Sequence, residues 1–471
     1  MVALPFRSAL DCGEAIARKE ISPVEVLDAY LERVDRFDPT LNAFCLRDDD
    51  RARADARAAA EAIATEPDGV RSPFFGVPIP IKDLHDVEGW PTTHASLGSS
   101  PDPVPADALP VARLRAAGMV FMGKTTTPEL GTIALTESER QGVSRNPWDP
   151  ARTPAGSSGG AAAAVAVGMS PIGHGSDGGG SIRSPSSVCN LVGLKPSRNR
   201  ITGDVEVYHG GATQGVLTRT VADTAAALDV MAVFDPGAWN NAPPPARPYR
   251  DEVGADPGRL RVAMCLDNAL GLPVDAAVAD GVRRTAELLE AAGHEVVERS
   301  DVWPDPEPFL LGFMTIWNTG SAGHGLTRME PLNQALHDAA AMTSSLQYAE
   351  SVMSLQAQCR GIAARWTTDW DLLLIPTIAI EPPLVGMCWE GYPEDPMAPM
   401  AHVMPMGIYT APFNMAGLPA INVPTHVTDA GLPIGSQLVG GPWRDDVLIR
   451  VASQLEEMVG WADRWPAMAD T

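Results

Sequence analysis

Lysine is nearly missing from this chain: Lys19, Lys82, Lys124 and Lys195 stand against 31 arginines. Positive charge of any kind is short, with 35 Lys and Arg facing 59 Asp and Glu for a net charge of −24. Affinity for nucleic acid comes chiefly from cations on phosphates, so this balance argues against a nucleic-acid partner and an anionic membrane surface. No apolar run approaches the roughly 18 residues of a membrane-spanning helix. The opening MVALPFRSAL lacks the long apolar stretch of a signal peptide, so the expected compartment is the cytoplasm. The six cysteines (Cys12, Cys45, Cys189, Cys265, Cys359, Cys388) lie far apart without a CxxC pair, which speaks against a disulfide framework or a zinc site. The nine histidines do not cluster, and neither a metal nor a cofactor is expected. A monomer or homodimer acting on a small molecule fits this inventory.

What the chain does have is material for a core, 45% apolar residues with 43 Gly and 43 Pro, as in a soluble globular enzyme. Ser22-Pro23-Val24-Glu25 reads as a helix start, with Ser as N-cap, Pro in the first turn and Glu closing a capping box. Arg51 to Ala64 reads as an Ala- and charge-rich helix, and residues 1–70 as packing helices without chemistry. From Phe75 onward strands and helices alternate. FGVPIPIKDLHDV and AGMVFMGKT (117–125) read as strands, and AAAAVAVGMSPIGHGSD (161–177) as a helix, a strand and a Gly-rich turn. TRTVADTAAALDVMAVF reads as a helix, and residues 236–258 have linker composition. LRVAMC, VADGVRRTAELLEAAG and HEVVE repeat strand–helix–strand; DLLLIPT (371–377) and GLPIGSQLVG add strands before the last helix, VLIRVASQLEEM. Residues 303–405 read as irregular. The fold class is α/β, a sheet covered on both faces.

Three short motifs mislead. Gly118-MVFM-Gly123-Lys124-Thr125 satisfies the pattern of a phosphate-binding loop, yet its middle residues read as a buried strand that cannot wrap a phosphate. Gly156-Ser-Ser158-Gly-Gly160 matches the GxSxG elbow, which would make Ser158 the nucleophile of an α/β-hydrolase esterase. That elbow needs a strand before it, and RNPWDPARTPA (145–155) is turn-forming. His294-Glu-Val-Val-Glu298 lacks the second histidine of a zinc-protease helix and reads as a strand.

The chemistry concentrates in two Gly/Ser clusters, Gly156 to Gly160 and Gly175 to Arg183. Three glycines before Ser181 give a backbone that can aim several N–H groups at one point, as an oxyanion hole requires. A nucleophilic serine also needs a base. His174 is close in sequence but ends an apolar strand. Lys82 serves if burial makes it neutral, since a lysine, unlike an arginine, can lose its proton when desolvated. The plain structural alternative is a buried ion pair of Lys82 with Asp83 or Asp177.

These stretches resemble the amidase-signature family. The resemblance rests on GVPIPIKD (76–83), GKTTTPELG (123–131), RTPAGSSGGAAAAVAVG (152–168), GSDGGGSIRSPSSVCNLVGLKP (175–196) and LTRTVADTAAALD (217–229), and continues in APFNMAGLPAINVP (411–424) and GLPIGSQLVG (431–440). Spacing agrees too: 75 residues from Lys82 to Ser157 and 24 from Ser157 to Ser181. It implies a single α/β/α domain with a large mixed, mostly parallel sheet. It implies that Ser181 attacks the carbonyl, that Ser157, after a cis peptide bond, relays the proton, and that Lys82 receives it. Gly178, Gly179, Gly180 and Ser181 would form the oxyanion hole, Asp177 and Arg183 would brace the turn, and Ser158 would be a hydrogen-bonding neighbour. Two departures, Ala155 before GSSGG and Val216 before Leu217, touch no catalytic side chain.

On substrate the resemblance is closest to bacterial members that cleave non-peptide amides, including nylon-oligomer and urethane hydrolases. A small, largely apolar amide or carbamate is expected, with Trp317, Met387, Trp389, Met397, Met400, Met404 and Met406, in or just after 303–405, as candidate pocket walls. The glutamine-using amidotransferase subunit of a tRNA-modifying complex places an Asp where Gly407 stands here, three residues before Thr410. A glycine cannot pair with the ammonium of glutamine.

Overall fold

The computed structural model describes residues 4–66, 69 and 71–470. Its centre is an eight-stranded sheet with strands in the spatial order Glu295–Glu298, Arg261–Met264, Leu372–Pro376, Pro433–Gly440, Ala420–Val427, Val192–Lys195, Thr213–Thr218 and Ile172–Asp177. The first three run parallel, and every other neighbouring pair is antiparallel. The sheet is thus mixed, but parallel pairing is confined to one edge. Connection length explains this in part. Ala420–Val427 and Pro433–Gly440 are joined by the short turn 428–432, which suits antiparallel partners, whereas parallel ones need a long crossover.

Strand alternation builds two cores. Val262, Leu372, Leu374, Ile421 and Leu438 face one side; Ala263, Leu373, Ile375, Ala420 and Val439 face the other. Helices Val221–Met231, Ala276–Ala291 and Asp445–Val459 close the first, and Pro306–Trp317 and Ser345–Ala364 close the second. The α/β class with both faces covered is therefore as the sequence implies.

A smaller sheet sets up the site. Phe44–Arg47, Val120–Thr125 and Pro78–Lys82 pair in that order, and Pro78–Lys82 packs against the edge strand Ile172–Asp177. The strand Phe44–Arg47 departs from the reading of residues 1–70 as helices alone. The capping box forms as expected: Ser22 Oγ accepts from the Glu25 N–H at 3.1 Å, and the Glu25 carboxylate accepts from the Ser22 N–H at 2.8 Å.

Residues 303–405 are not irregular: they hold helices Pro306–Trp317, Pro331–Met342 and Ser345–Ala364. Pro306 and Pro331 sit in first turns, where a missing N–H costs nothing, so they start helices and do not break them. The 236–258 excursion has little regular structure but is pinned by buried Tyr249 and by Glu252, which pairs with Arg247 and Arg450 at 2.6 Å each. Among the described residues no helix is long and apolar enough to cross a membrane.

Candidate active site

The strand Pro78–Lys82 is buried along its whole length, so the lysine at its end is enclosed. Its Nζ lies 2.7 Å from Ser157 Oγ, 2.9 Å from Ser158 Oγ and 3.2 Å from Ser176 Oγ. Among the described residues no carboxylate is within ion-pair distance of it. Asp83, one residue on, pairs with Lys124 at 2.6 Å, and Asp177 pairs with Arg183 at 2.9 Å. Both partners that would have made Lys82 a structural cation are engaged elsewhere. Burial lowers the Lys82 amine to about 7, and the charge on Asp177 opposes that shift without cancelling it.

Asp177 organises the turn that carries Ser181. Its carboxylate accepts from the N–H groups of Gly180 at 2.7 Å and Ile182 at 3.2 Å, and from the Arg183 guanidinium at 2.9 Å. Asn414 donates to the Asp177 carbonyl and carboxylate at 2.9 Å each. Burial alone would raise this carboxyl; Arg183 and Asn414 outweigh it and hold the group well below the usual carboxylate range. Arg183 in turn donates to the Gln437 side chain at 2.6 Å and the Thr410 carbonyl at 3.1 Å. Gly180 has φ +133°, and a Cβ there would stand 2.3 Å from Thr410 Oγ1, so only glycine fits.

The Gly180 N–H, expected in the oxyanion hole, is thus taken by Asp177. The N–H groups of Gly178, Gly179 and Ser181 have no acceptor among the described residues. Trp317 packs over this turn, so that a Cβ on Gly178 or Gly179 would meet its ring at 3.5 Å. Tyr208 and Phe313 stack on Trp317 with centroids 4.9 and 5.2 Å away.

The Gly156–Ser157 peptide bond is cis. Ser157 and Ser181 line one cavity together; among the described residues no hydrogen bond joins their hydroxyls. The Ser158 N–H donates to the Ser181 carbonyl at 3.3 Å and ties the two segments to each other. Ser158 itself is fully buried, and its hydroxyl sits between Lys82 and the Ser176 carbonyl, 3.2 Å away. Turns precede it, not a strand, so the elbow is absent. His174 is fully buried with Nε2 2.9 Å from the Gln214 side chain, and makes no bond to a serine among the described residues. Lys124 lies within the strand Val120–Thr125 and not in a phosphate loop, and the HEVVE residues Glu295–Glu298 are a strand.

Ser181 opens on two cavities. One, of about 140 Å³, is walled by Ile133, Phe309, Phe313, Met314, Met400 and Val403. The other, of about 170 Å³, has polar edges at Ser157, Ser176, His94 and Gln214. Trp317 borders both. Of the expected pocket residues, Trp317, Met400 and Met404 line the apolar cavity; Met387 is exposed, Met406 is sealed in the core, and Trp389 and Met397 pack behind it. The sequence reading missed Ser176, Phe309, Phe313 and the lining segment 131–134. It also missed Asn414, although APFN was in view.

This arrangement sets a buried lysine amine among serine hydroxyls, next to a glycine-rich turn whose N–H groups, free among the described residues, stand beside Ser181. The Amidase family model matches residues 25–449. The 6-aminohexanoate-cyclic-dimer hydrolase of Pseudomonas sp. (strain NK87) is 35% identical, over 98% of this chain and 97% of its own. The acylamidase of Rhodococcus erythropolis is 33% identical over 98% of both. A solved 6-aminohexanoate cyclic dimer hydrolase with bound substrate superposes with a TM-score of 0.90 at 33% identity, covering 99% of this chain and all of the other. The chain belongs to the amidase-signature family and is an amidase, a hydrolase of carbon–nitrogen bonds outside peptides.

Proposed function

We propose that this amidase cleaves small, largely apolar amides or carbamates through an acyl-enzyme on Ser181. The observation that carries the reading is Lys82: a buried amine, free of any ion pair among the described residues, 2.7 Å from Ser157 Oγ. Ser181 Oγ attacks the carbonyl carbon, its proton passes to Ser157, and the Ser157 proton passes to neutral Lys82. The N–H groups of Gly178, Gly179 and Ser181 hold the oxyanion. The proton returns by the same route to the leaving amine, and water repeats the cycle on the ester. The gap between the two serine hydroxyls is to close when substrate binds, as catalytic hydrogen bonds commonly tighten then.

The apolar cavity supports an uncharged aliphatic or aryl group on one side of the scissile bond. The name of the relative acting on a cyclic 6-aminohexanoate dimer fits that chemistry. Glutamine use is opposed by Gly407, which lines the same apolar cavity and offers no carboxylate. An esterase built on Ser158 is opposed by its complete burial. Anilides, aryl carbamates, cyclic amide dimers and glutamine should be compared by kcat/KM. Preference for glutamine over every apolar amide would overturn the proposal.

A further inference from the structure

A third cavity, of about 300 Å³, opens between helix Ser345–Ala364, the chain after Asn414 and the turn at Trp443. It shares Tyr208 with the cavity that holds Ser157 but contains no catalytic side chain. Val352, Leu355 and Leu418 make an apolar wall, and Arg198 and Arg360 also line it. Neither arginine makes an ion pair among the described residues, in a protein whose net charge is −24. Glu206, an acid close enough to act on Arg198, is held by the Asn199 and Asn240 side chains at 3.1 and 3.2 Å. Arg198 donates through Nη2 to the carbonyls of Asn414, at 3.4 Å, and Met415. Its Nε–H is buried with no acceptor, an arrangement native proteins rarely leave without a use.

The backbone gives an independent sign. Tyr208, His209 and Trp443 all line this cavity, and all three are in the left-handed region, with φ of 52°, 54° and 64°. Bulky residues seldom adopt it, and such strain gathers at binding sites. We propose that this cavity is a second binding site for a small carboxylate with an apolar body. The guanidinium groups take the carboxylate as charge-assisted partners, and the wall formed by Val352, Leu355 and Leu418 takes the chain.

Calorimetric titration with octanoate, octanol and octylamine tests this on the full-length protein. Octanoate should bind in one-to-one saturation, and the neutral and cationic analogues at least roughly tenfold more weakly. Arg360 is exposed and Val352 half-buried, so Arg360→Glu and Val352→Arg are expected to fold, which circular dichroism checks. Each should weaken octanoate at least roughly tenfold. Octanoate binding equally to wild type and both variants would place it elsewhere and overturn the proposal. So would equal affinity for octanol, or no saturable octanoate binding at all.

Discussion

Three buried lysines meet three fates, and the comparison explains the assignment. Lys124 has Asp83 at 2.6 Å as a counter-ion. Lys195 has, among the described residues, only the Pro196 carbonyl, at 2.8 Å, and lies near the Arg183 charge, so burial first and that repulsion second lower it to about 7. Lys82 alone is surrounded by hydroxyls. With Lys82 lowered to about 7, the neutral amine should grow in as pH rises, and kcat/KM should climb through about pH 7 to a plateau. A free lysine would put that rise near pH ~10.4. Lys82→Arg keeps the charge but cannot be deprotonated, so it should lose about a hundredfold to ten-thousandfold on amides and less on matched esters. Near-normal amide turnover by Lys82→Arg would make the lysine an electrostatic prop. Ser181→Ala should abolish turnover on folded protein, whereas Ser158→Ala should retain a measurable part. The reverse pattern would restore the elbow reading. At this scale the sequence was largely legible, because Lys82, Ser157 and Ser181 sit in motifs with fixed spacing. Ser176 was not, since a hydroxyl becomes part of the site only once the strand Ile172–Asp177 lies beside Pro78–Lys82.

Among the elements, the turn from Asp177 to Arg183 works as one unit with the helix Ala411–Ala416, although more than 200 residues separate them. Asp177→Asn removes the buried charge facing Arg183, and leaving one partner of such a pair alone costs about 3–5 kcal/mol. It also leaves one acceptor oxygen where two held the turn's N–H groups, so the turn loosens and kcat should fall more than KM changes. A destabilisation below about 1 kcal/mol in urea unfolding would contradict the bracing role. Helix Pro306–Trp317 supplies the wall between the two cavities at Ser181. Trp317→Ala should merge them and raise kcat/KM for bulky aryl amides relative to small aliphatic ones; an unchanged ratio would show that the wall does not sort substrates. This helix was illegible in the sequence because proline, methionine and tryptophan mask its period, and its proline sits where helices begin. The mostly antiparallel pairing was equally hidden, because apolar runs such as DLLLIPT declare a buried strand but not its direction.

For the molecule as a whole, the buried titratable groups dictate how stability responds to pH. Folded Lys82 and Lys195 release their protons near about 7, while in the unfolded chain they hold them until pH ~10.4. Between those values the unfolded state binds more protons, so stability rises with pH, by up to about 1.4 kcal/mol per unit for each lysine. The five buried cysteines act in the opposite sense. Burial pushes the thiols of Cys12, Cys189, Cys265, Cys359 and Cys388 above their ordinary value, so the folded protein keeps protons that the unfolded chain loses above pH ~8.5. There the unfolded state binds fewer protons and stability falls. The two slopes cross near pH ~8, where urea midpoints measured under reducing conditions should peak. Lys195→Met removes one rising contribution without touching a reacting group, so its peak should move to lower pH while the alkaline fall stays. A wild-type midpoint that climbs steadily through pH 9, or a Lys195→Met profile with the wild-type peak, would mean that these lysines stay charged in the fold. The neutral amine assigned to Lys82 would then lose its physical basis.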